Sequence, residues 1–420
     1  MFKIKKILIC IFIILIILNI FIYNVKADDI DDETDFDVNH IENDILETSG
    51  SKAEEPNINS RSAVIYDRVS KKVIWGKKEK EIRAMASTTK IMTAIVVLEN
   101  SNLSDIVTIS KKAANTGGSS LKVNTGDKIT INDLLYGLML KSGNDAAVAL
   151  AEHVGGSIEE FVCLMNEKAK ELGLQNTNFV TPHGLDNDEH YTTAYELAIL
   201  TDYALTNEKF AQIVKTKQAT ININGSLRAI SNTNELLGNL NGVDGIKTGF
   251  TGNAGRCLVS SCTRNGNQII TVVLGADTKK QRTLDSIKLI EYAFKNYERV
   301  NVEEIAKEEF KNWKQINEKR IYINKAKNLN IELILNEVQN KIIPIKIGTK
   351  NDIKIEINCI YEYEAPVYEN TKIGNLIIKN NGEIIEVVDI ACKNTILKNN
   401  IFDYMKYFLQ ILTNKKIFEI

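Results

Sequence analysis

The sequence of 420 residues lacks both an excess of one charge and a regular set of cysteines. Its 52 Lys and Arg residues are balanced by 54 Asp and Glu residues, so the net charge is −2. This balance excludes the basic signature of a nucleic-acid-binding protein. The cysteines at positions 163, 257, 262, 359 and 392 have irregular spacings, which fit neither a disulfide framework nor a zinc site. We expect them to be ordinary buried thiols.

Two further kinds of site are not indicated. No Gly-x-Ser-x-Gly segment occurs, so the nucleophile elbow of the Ser-His-Asp hydrolases is missing. His183 and His190 lie near Asp186, Asp188 and Glu189, but this spacing matches no standard metal site. We therefore expect a surface loop there, and no metal or other cofactor.

The N-terminal segment has the features of an export signal. Three lysines at positions 3, 5 and 6 precede an apolar run over 7–23, and Val25-Lys26-Ala27 offers small residues for cleavage. Residues 1–27 therefore read as a signal peptide. The alternative is an uncleaved membrane anchor, because the run is long for a signal. Both interpretations place the body of the protein outside the cytoplasm, at the outer face of the membrane or in the cell wall.

The rest of the chain divides by composition. Residues 28–60 are acidic and poor in large apolar residues, as in DDIDDETDFD, and predict a disordered linker. Residues 61–298 begin and end with β-prone segments and have helical patterns between them, including AIVVLE after Lys90. Asn265-Gly266 predicts a hairpin near the end of this region. The expected fold class is α+β, an antiparallel sheet flanked by helices.

Two smaller elements follow. Alternating apolar residues over 353–363 and the turn at Asn381-Gly382 predict a small all-β domain over 299–392. Within 393–420, apolar residues including Phe402, Met405 and Leu409 recur at helical spacing. This pattern predicts either a helix packed on the β domain or an amphipathic helix that lies on a membrane surface.

One short segment raises a chemical question. The stretch ASTTKIMTAIVVLE places Ser87 three residues before Lys90 at the start of an apolar run. Residues three apart share one face of a helix, so the hydroxyl and the amine can meet. Taken alone, this segment favours the simpler interpretation of Ser87 as a helix N-cap. A serine needs a neighbouring base to become a nucleophile, and Lys90 can be that base when it is neutral.

Two more motifs follow in order. Ser142-Gly143-Asn144 lies between two predicted helices, and Lys247-Thr248-Gly249 lies on a predicted strand. Each is short, but the three together form a specific signature. This set resembles the penicillin-recognising serine enzymes, and most of all the low-molecular-mass D-alanyl-D-alanine carboxypeptidases. RAMASTTKIMTA, LMLKSGNDAA, TPHGLDNDEHYTTAYELA and GIKTGFTGNAGRCLVSSCTRNG are all similar to that family, although Met85 stands where proline is usual.

The resemblance implies a β-lactamase/transpeptidase-like catalytic domain over 61–298, followed by the family's β domain and C-terminal anchor. It implies a serine D-Ala-D-Ala carboxypeptidase that removes the terminal D-alanine of peptidoglycan stem peptides through an acyl-enzyme on Ser87. It also implies covalent reaction with β-lactams. Lys90 would be the base, and burial near a second cation such as Lys247 would favour its neutral form. Ser142 could relay a proton to the leaving amine, and Asn144 could hold the substrate or Lys90.

The remaining site residues concern binding. The Ser87 N–H is a candidate oxyanion donor, and the family places a second donor at the position of Thr251. Lys247, Thr248 and Arg282 suit a terminal carboxylate, although Arg282 could instead be a solvated residue at a helix start. Gly249 would let a substrate strand approach closely.

Other functions use the same motifs. A class A β-lactamase would add a Glu-x-x-Leu-Asn segment between the second and third motifs, and no such segment lies between Asn144 and Lys247. A transpeptidase or endopeptidase shares the chemistry and is not separated by motifs. A non-catalytic β-lactam sensor or wall-binding protein would be expected to have a broken motif, and all three motifs are intact.

Overall fold

The computed structural model describes residues 55–328 and 330–413. The chain divides into two compact units, with the boundary between Lys295 and Asn296. The predicted signal peptide, and residues 28–54 of the predicted acidic linker, lie outside the described residues.

The first unit alternates strands and helices. Its strands are β1 Ser62–Asp67, β2 Lys72–Lys77, β3 Ile106–Thr108, β4 Lys128–Thr130, β5 Gln218–Ile223, β6 Ser226–Ser231, β7 Val243–Thr251, β8 Gly255–Arg264 and β9 Asn267–Ala276. Its helices are α1 Lys90–Asn100, α2 Lys111–Ala114, α3 Ile131–Leu140, α4 Asn144–Gly155, α5 Ile158–Glu171, α6 Ala194–Ala204, α7 Glu208–Val214 and α8 Lys279–Asn296.

A five-stranded antiparallel sheet forms the frame of this unit. Its order is β2-β1-β9-β8-β7, so β7 is an edge strand. All six residues of β1 are buried. Val64 and Tyr66 face the helical core, whereas Ala63 and Ile65, which alternate with them, are buried on the other face. The sheet is therefore covered on both faces, and the predicted α+β class is confirmed.

Helix α1 runs through the middle of the helical core. Its residues are buried without interruption from Lys90 to Val97, and it packs against α3, α4 and α6. A helix that is apolar on every side is stable only when it is enclosed by other elements. The first turn of α1 therefore lies inside the protein, and it includes the lysine of the first motif.

One hairpin was not predicted from the sequence. Strands β5 and β6 pair through Asn224-Gly225, where both residues have positive φ angles of 52° and 84°. This combination is typical of the tight turns that match the twist of a hairpin. The Asn222 N–H donates to Asp133 at 2.9 Å, so the hairpin is fixed to the start of α3.

The second unit is rich in strands. It contains β10 Tyr297–Asn301, β11 Tyr322–Asn324, β12 Leu333–Leu335, β13 Ile342–Lys346, β14 Ile353–Cys359, β15 Glu362–Glu364, β16 Lys372–Asn380 and β17 Glu383–Cys392. Its largest sheet has the order β12-β17-β16-β14, and the turn at Asn381-Gly382 joins β16 and β17 as predicted.

The structure adds a helix to this unit that the sequence analysis did not predict. Helix α9 spans Val302–Asn317 and buries Val302, Ala306 and Phe310 in the core of the unit. These positions are four residues apart and mark one helical face. The many charged residues between them obscured the pattern.

Helix α10, Ile401–Thr413, presents its apolar residues to solvent. Phe402 is 73% exposed and Phe408 is 61% exposed. This exposure contradicts the first of the two predictions for the segment, in which the helix packs on the β domain. None of the helices within residues 55–328 and 330–413 is both long and apolar enough to cross a membrane.

The cysteines follow the prediction only in part. Cys257, Cys262 and Cys392 are buried free thiols, whereas Cys163 is exposed. Cys163 lies on α5, a helix with only three buried residues, so its position in the helical period places it on the solvent side.

The last residues of the predicted linker are packed against the first unit. Ile58 and Ser60, assigned to the disordered linker, are 5% and 0% exposed. The carboxylate of Asp285 on α8 accepts the Ser60 hydroxyl at 2.5 Å, the Ser60 N–H at 2.8 Å and the Asn59 N–H at 3.1 Å. Three donors on one buried carboxylate hold this segment beside α8.

We predict that Asp285→Ala lowers the free energy of unfolding by about 2–4 kcal/mol, because it leaves buried donors without an acceptor. The measurement is urea unfolding at neutral pH. The matched control is Asp277→Ala, which removes an exposed ion pair with Arg61 and should cost less than about 1 kcal/mol. Equal losses in the two variants would contradict the role of Asp285.

Candidate active site

The first motif forms a tight turn at the entrance to α1. Residues Ala86–Thr89 form a 3₁₀ helix that continues directly into α1 at Lys90. The Thr88 hydroxyl donates to the Met85 carbonyl at 2.6 Å, and Ala86 has a φ of 48°. A left-handed alanine is uncommon and requires support from its surroundings. This turn sets the direction in which the Ser87 side chain points.

The amine of Lys90 is enclosed by oxygen atoms. Lys90 is 0% exposed, and its Nζ lies 2.6 Å from Ser87 Oγ, 2.7 Å from Asn144 Oδ1 and 2.9 Å from the His183 carbonyl oxygen. A buried amine is costly unless it is hydrogen-bonded. The three oxygens come from three separate segments of the chain, so the tertiary structure assembles this contact.

The second motif is fixed through its main chain and its amide. The Asn144 N–H donates to the Ser119 carbonyl at 2.7 Å, and Asn144 Nδ2 donates to the Gly117 carbonyl at 2.9 Å. These two bonds set the amide orientation so that Oδ1 faces Lys90. Ser142 has a φ of 61° and is 6% exposed.

The third motif lies along the edge strand β7, beside the nucleophile turn. A Cβ placed on Gly249 would lie 3.1 Å from the Ser87 nitrogen and 3.1 Å from the Ala86 Cβ. Such contacts are tighter than ordinary packing allows, so glycine lets the strand approach the Ser87 main chain. An edge strand also offers unpaired N–H and C=O groups to an extended ligand.

Polar partners surround the rest of the third motif. Lys247 is 1% exposed, and its Nζ donates to the Thr248 carbonyl at 3.0 Å. The hydroxyls of Thr248 and Thr233 are 2.7 Å apart. Arg282 is 2% exposed and donates to Glu235, so it is not the solvated helix-start residue that was the alternative.

These elements enclose a cavity of about 740 Å³. The predicted site residues that line it are Ser87, Ser142, Thr248, Gly249 and Arg282. The predicted residues that are buried outside this lining are Lys90, Asn144, Lys247 and Thr251.

The histidine-containing loop is part of this site, which corrects the prediction of a surface loop. Its tip is exposed, but His190 is 3% exposed and its Nε2 lies 2.7 Å from the Thr89 hydroxyl. His190 Nδ1 accepts the Val180 N–H at 2.9 Å, so the neutral ring carries its proton on Nε2 and donates it to Thr89. The Thr89 hydroxyl donates in turn to the Ala86 carbonyl at 2.8 Å.

The same loop also approaches the residue before the nucleophile. Gly184 has a φ of 90°, and a Cβ there would lie 2.0 Å from the Ala86 carbonyl oxygen. Any other residue would push the loop away from the turn. The sequence signal was the His-Gly pair at 183–184, but nothing in it indicated that the His183 carbonyl would reach Lys90.

Asp186 is a further residue that the sequence analysis did not place in the site. Its carboxylate accepts the Thr251 hydroxyl at 2.5 Å and the Asn253 N–H at 3.1 Å. These bonds join the loop to the end of β7. The role of the Thr251 N–H as an oxyanion donor stays a prediction.

Glu235 was also missed. It accepts from Arg282 and, at 2.5 Å, from the Thr283 hydroxyl. Glu235 lies eight residues before β7 and belongs to no motif. Its pairing with Arg282, 47 positions later, could therefore not be deduced from the sequence. Its carboxylate orients Arg282 within the cavity.

Burial changes the acidity of both histidines of the loop. Burial, together with the positive charge of Lys90, lowers the pKa of His190 to about 4. The same causes, with a smaller contribution from His190, lower the pKa of His183 to about 3. Both rings are therefore neutral at physiological pH, as the hydrogen bonds of His190 require.

The sheet, the enclosed Ser-Lys pair and the two accompanying motifs define the class of penicillin-recognising serine enzymes. The chain matches the family described as D-alanyl-D-alanine carboxypeptidase over residues 49–278. It also matches the family described as penicillin-binding protein 5, C-terminal domain, over residues 310–398. The chain therefore belongs to the D-alanyl-D-alanine carboxypeptidase family, as the sequence resemblance predicted.

Individual relatives agree over most of the chain. The D-alanyl-D-alanine carboxypeptidase DacF of Bacillus subtilis is 35% identical over 85% of this chain and 91% of the relative. The D-alanyl-D-alanine carboxypeptidase DacA of Escherichia coli K12 is 32% identical over 84% of this chain and 88% of the relative. These matches include both units.

Solved structures give the same result. The D-alanyl-D-alanine carboxypeptidase DacD of Francisella tularensis superposes with a TM-score of 0.69 at 28% identity, over 83% of this chain and 96% of the other. The DD-transpeptidase of Streptomyces K15 superposes with a TM-score of 0.56 at 36% identity, over 58% of this chain and 99% of the other.

We predict that the free energy of unfolding falls as the pH decreases from about 6.5 to about 4. The unfolded chain binds protons on His183 and His190 below pH 6.5, whereas the folded chain binds them only near pH 3–4. Each histidine then contributes a slope of up to about 1.4 kcal/mol per pH unit. Urea unfolding across this pH range measures the slope.

The variant His190→Gln should lose the contribution of one histidine to this slope. His153→Gln, which replaces an exposed histidine, should keep the slope of the unmodified protein. If His190→Gln and the unmodified protein gave the same slope, the assignment of a neutral His190 to the folded protein would be wrong.

Proposed function

We propose that this protein is a serine-type D-Ala-D-Ala carboxypeptidase that removes the terminal D-alanine from peptidoglycan stem peptides. The observation that carries the proposal is the buried Lys90 amine 2.6 Å from Ser87 Oγ. Asn144 and the His183 carbonyl accept two of its hydrogens. In the neutral amine, the lone pair is then left for the Ser87 proton.

Acylation follows from this arrangement. Lys90 takes the proton of the Ser87 hydroxyl while Ser87 Oγ bonds to the carbonyl carbon of the penultimate D-alanine. The peptide C–N bond breaks, and the nitrogen of the last D-alanine receives a proton through Lys90 or Ser142. D-alanine leaves, and water then hydrolyses the ester on Ser87. The proton taken from the Ser87 hydroxyl ends on the nitrogen of the leaving D-alanine. In the hydrolysis step, a proton taken from water restores the Ser87 hydroxyl.

When Ser87 Oγ attacks, the carbonyl oxygen of the penultimate D-alanine becomes an oxyanion, which needs hydrogen-bond donors. The Ser87 N–H is the first candidate, because it lies in the 3₁₀ turn beside Gly249. The Thr251 N–H is the proposed second donor, at the end of the strand that Asp186 fixes. Main-chain donors held in this way stabilise the oxyanion without reorganising.

A carboxypeptidase must also recognise the carboxylate that lies one residue beyond the cut. Arg282 and Thr248 face the cavity, and Lys247 lies behind them. A guanidinium, a hydroxyl and an ammonium suit a carboxylate. The substrate peptide would add along the edge of β7, as an extra strand next to Gly249.

β-Lactams should acylate the same serine. Their ring amide is attacked in the same way, and the leaving nitrogen stays attached to the acyl group through the opened ring. This reaction is typical of the family to which the chain belongs.

A second candidate function is transfer of the acyl group to an amine. The likeness to a structure named a DD-transpeptidase, over 58% of this chain, supports this candidate. An acceptor such as glycine would then give a new amide in place of the hydrolysed peptide, and the same assay can detect both products.

For location, we propose an exported enzyme that works on the outer side of the membrane. The predicted domains support this: a signal peptide, an acidic linker, a catalytic domain, a β-rich domain and a C-terminal amphipathic helix. Helix α10 exposes Phe402, Met405, Phe408 and Leu409, which would sit in the boundary region of a bilayer.

We predict that the protein releases D-alanine from an acyl-L-Lys-D-Ala-D-Ala peptide and that Ser87→Ala releases none. The variant also should not form a stable adduct with penicillin, because the attacking oxygen is missing. Lys90→Gln should reduce both reactions by at least about 10³-fold, because the general base is lost. The measurements are a D-alanine assay and mass spectrometry of the intact protein.

Ser226→Ala is the matched control, since Ser226 is exposed on β6, and it should leave both reactions unchanged. A penicillin adduct without D-alanine release would indicate another substrate or a sensor. Neither adduct nor release in the unmodified protein would overturn the proposed activity.

We predict that the protein without residues 1–27, which include the apolar N-terminal run, binds anionic phospholipid vesicles and that Phe408→Gln with Leu409→Gln greatly weakens this binding. Apolar area that would enter the bilayer is removed, while the catalytic unit is untouched. Co-sedimentation with vesicles measures binding. Leu227→Gln, which replaces a 75% exposed residue of β6, should bind as the unmodified protein does; a loss there too would argue against a specific role for α10.

A further inference from the structure

The charge of the cavity lining differs in sign from that of the whole chain. The protein has a net charge of −2. The cavity, however, is lined by five cationic side chains and one carboxylate, which gives a lining charge of +4. The cations are Lys122, Lys141, Lys217, Lys279 and Arg282, and the carboxylate is Glu235. A cleft with one sign of charge raises the local concentration of ligands of the opposite sign.

Part of this charge already has a partner or a proposed role. Arg282 pairs with Glu235 and, with Lys247, is proposed to bind the terminal carboxylate of the substrate. That carboxylate supplies a single negative charge. The remaining positive charge of the lining therefore exceeds what the terminal carboxylate can neutralise.

Three of the lysines form a distinct group, which we name the lysine trio: Lys122, Lys141 and Lys217. All three are exposed and line the cavity. Among residues 55–328 and 330–413, no carboxylate forms an ion pair with any of them. Other exposed lysines of this unit do have such partners: Lys71 pairs with Asp202, and Lys78 pairs with Glu81.

The trio is carried by segments that are fixed to the site. Lys141 directly precedes Ser142. The segment that ends at Lys122 is held by Asp145, which accepts the Leu121 N–H at 2.9 Å and the Ser120 hydroxyl at 2.7 Å. These backbone positions are therefore set by buried contacts and not by a mobile surface.

The third member is equally fixed. Lys217 directly precedes β5, and its carbonyl accepts the N–H of Asn232, which directly follows β6, at 2.9 Å. The hairpin is tied to the first segment, because the Arg228 guanidinium donates to the Leu121 carbonyl. The Arg228 hydrogen bond therefore joins the segments that carry Lys122 and Lys217.

From this charge and placement, we infer that the lysine trio is a second anion subsite, which binds a carboxylate of the substrate peptide upstream of the two terminal D-alanines. This inference rests on the proposed carboxypeptidase activity and specifies its substrate. The carboxylate belongs either to the side chain of the residue next to the D-Ala-D-Ala pair or to the residue before it. Peptides without such a group lack the attraction and are poorer substrates.

The test compares three peptides that end in D-Ala-D-Ala. The first is neutral upstream, with an Nε-acetyl-lysine next to the D-alanines. The second carries an Nε-succinyl-lysine there, which has the same amide link and a terminal carboxylate. The third keeps the acetyl-lysine and adds one carboxylate to the residue before it. D-alanine release gives kcat/KM for each peptide at low salt and at about 0.5 M NaCl.

We expect kcat/KM of at least one carboxylate peptide to exceed that of the neutral peptide by about tenfold at low salt. The preference should shrink to within about twofold at high salt, because salt screens the attraction between exposed charges. Whichever carboxylate peptide is preferred identifies the position of the anion. Within the triple variant K122Q/K141Q/K217Q, the carboxylate peptides should be turned over with the same kcat/KM as the neutral peptide, so the preference should be lost.

Lys170→Gln is the matched control, because Lys170 is exposed on α5 and does not line the cavity, and it should keep the full preference. Equal kcat/KM for all three peptides would overturn the inference, as would a preference that survives in the triple variant. Release of D-alanine without any preference refutes the subsite alone. Failure to release D-alanine from every peptide refutes the proposed activity as well.

Discussion

A lysine amine with no access to solvent determines how the catalytic unit is built. Lys90 is completely buried, and an amine in that position is tolerated only if oxygen atoms surround it. Those oxygens belong to Ser87, Asn144 and His183. Three distant segments must therefore meet at one point, and the apolar helix α1, packed among α3, α4 and α6, holds the lysine where they converge. The same contact that satisfies the buried amine directs it at the serine.

The loop over 181–190 connects the two sides of this site. It presents the His183 carbonyl to Lys90, and it supports the left-handed turn at Ala86 through His190 and Thr89. Through Asp186 it also holds the end of β7. A strained turn persists only when its surroundings determine it in several ways. One exposed-looking loop thus aligns the nucleophile with the strand along which substrate would lie.

Charge adds a second level of organisation. The chain is nearly neutral overall, yet cations are concentrated on the cavity wall. Arg282 is oriented by Glu235 at one part of the wall, whereas the lysine trio contributes further positive charge to the same cavity lining. The first arrangement suits a single carboxylate close to the cut bond, and the second extends the attraction along the peptide. Recognition would then depend on the charge pattern of the substrate as well as on its two D-alanines.

The sequence by itself determined the features that depend on local spacing. The separation of Ser87 and Lys90 by three residues placed both on one helical face, and Asn265-Gly266 specified a hairpin. The family, its α+β fold and the three motifs followed from such patterns. Only the tertiary structure decided that the His183 main chain satisfies Lys90, that Asp186 meets Thr251, and that His190 is buried. Main-chain acceptors leave no signal in residue types, and pairings across many positions are set by the packing of the sheet and helices, which no short-range pattern encodes.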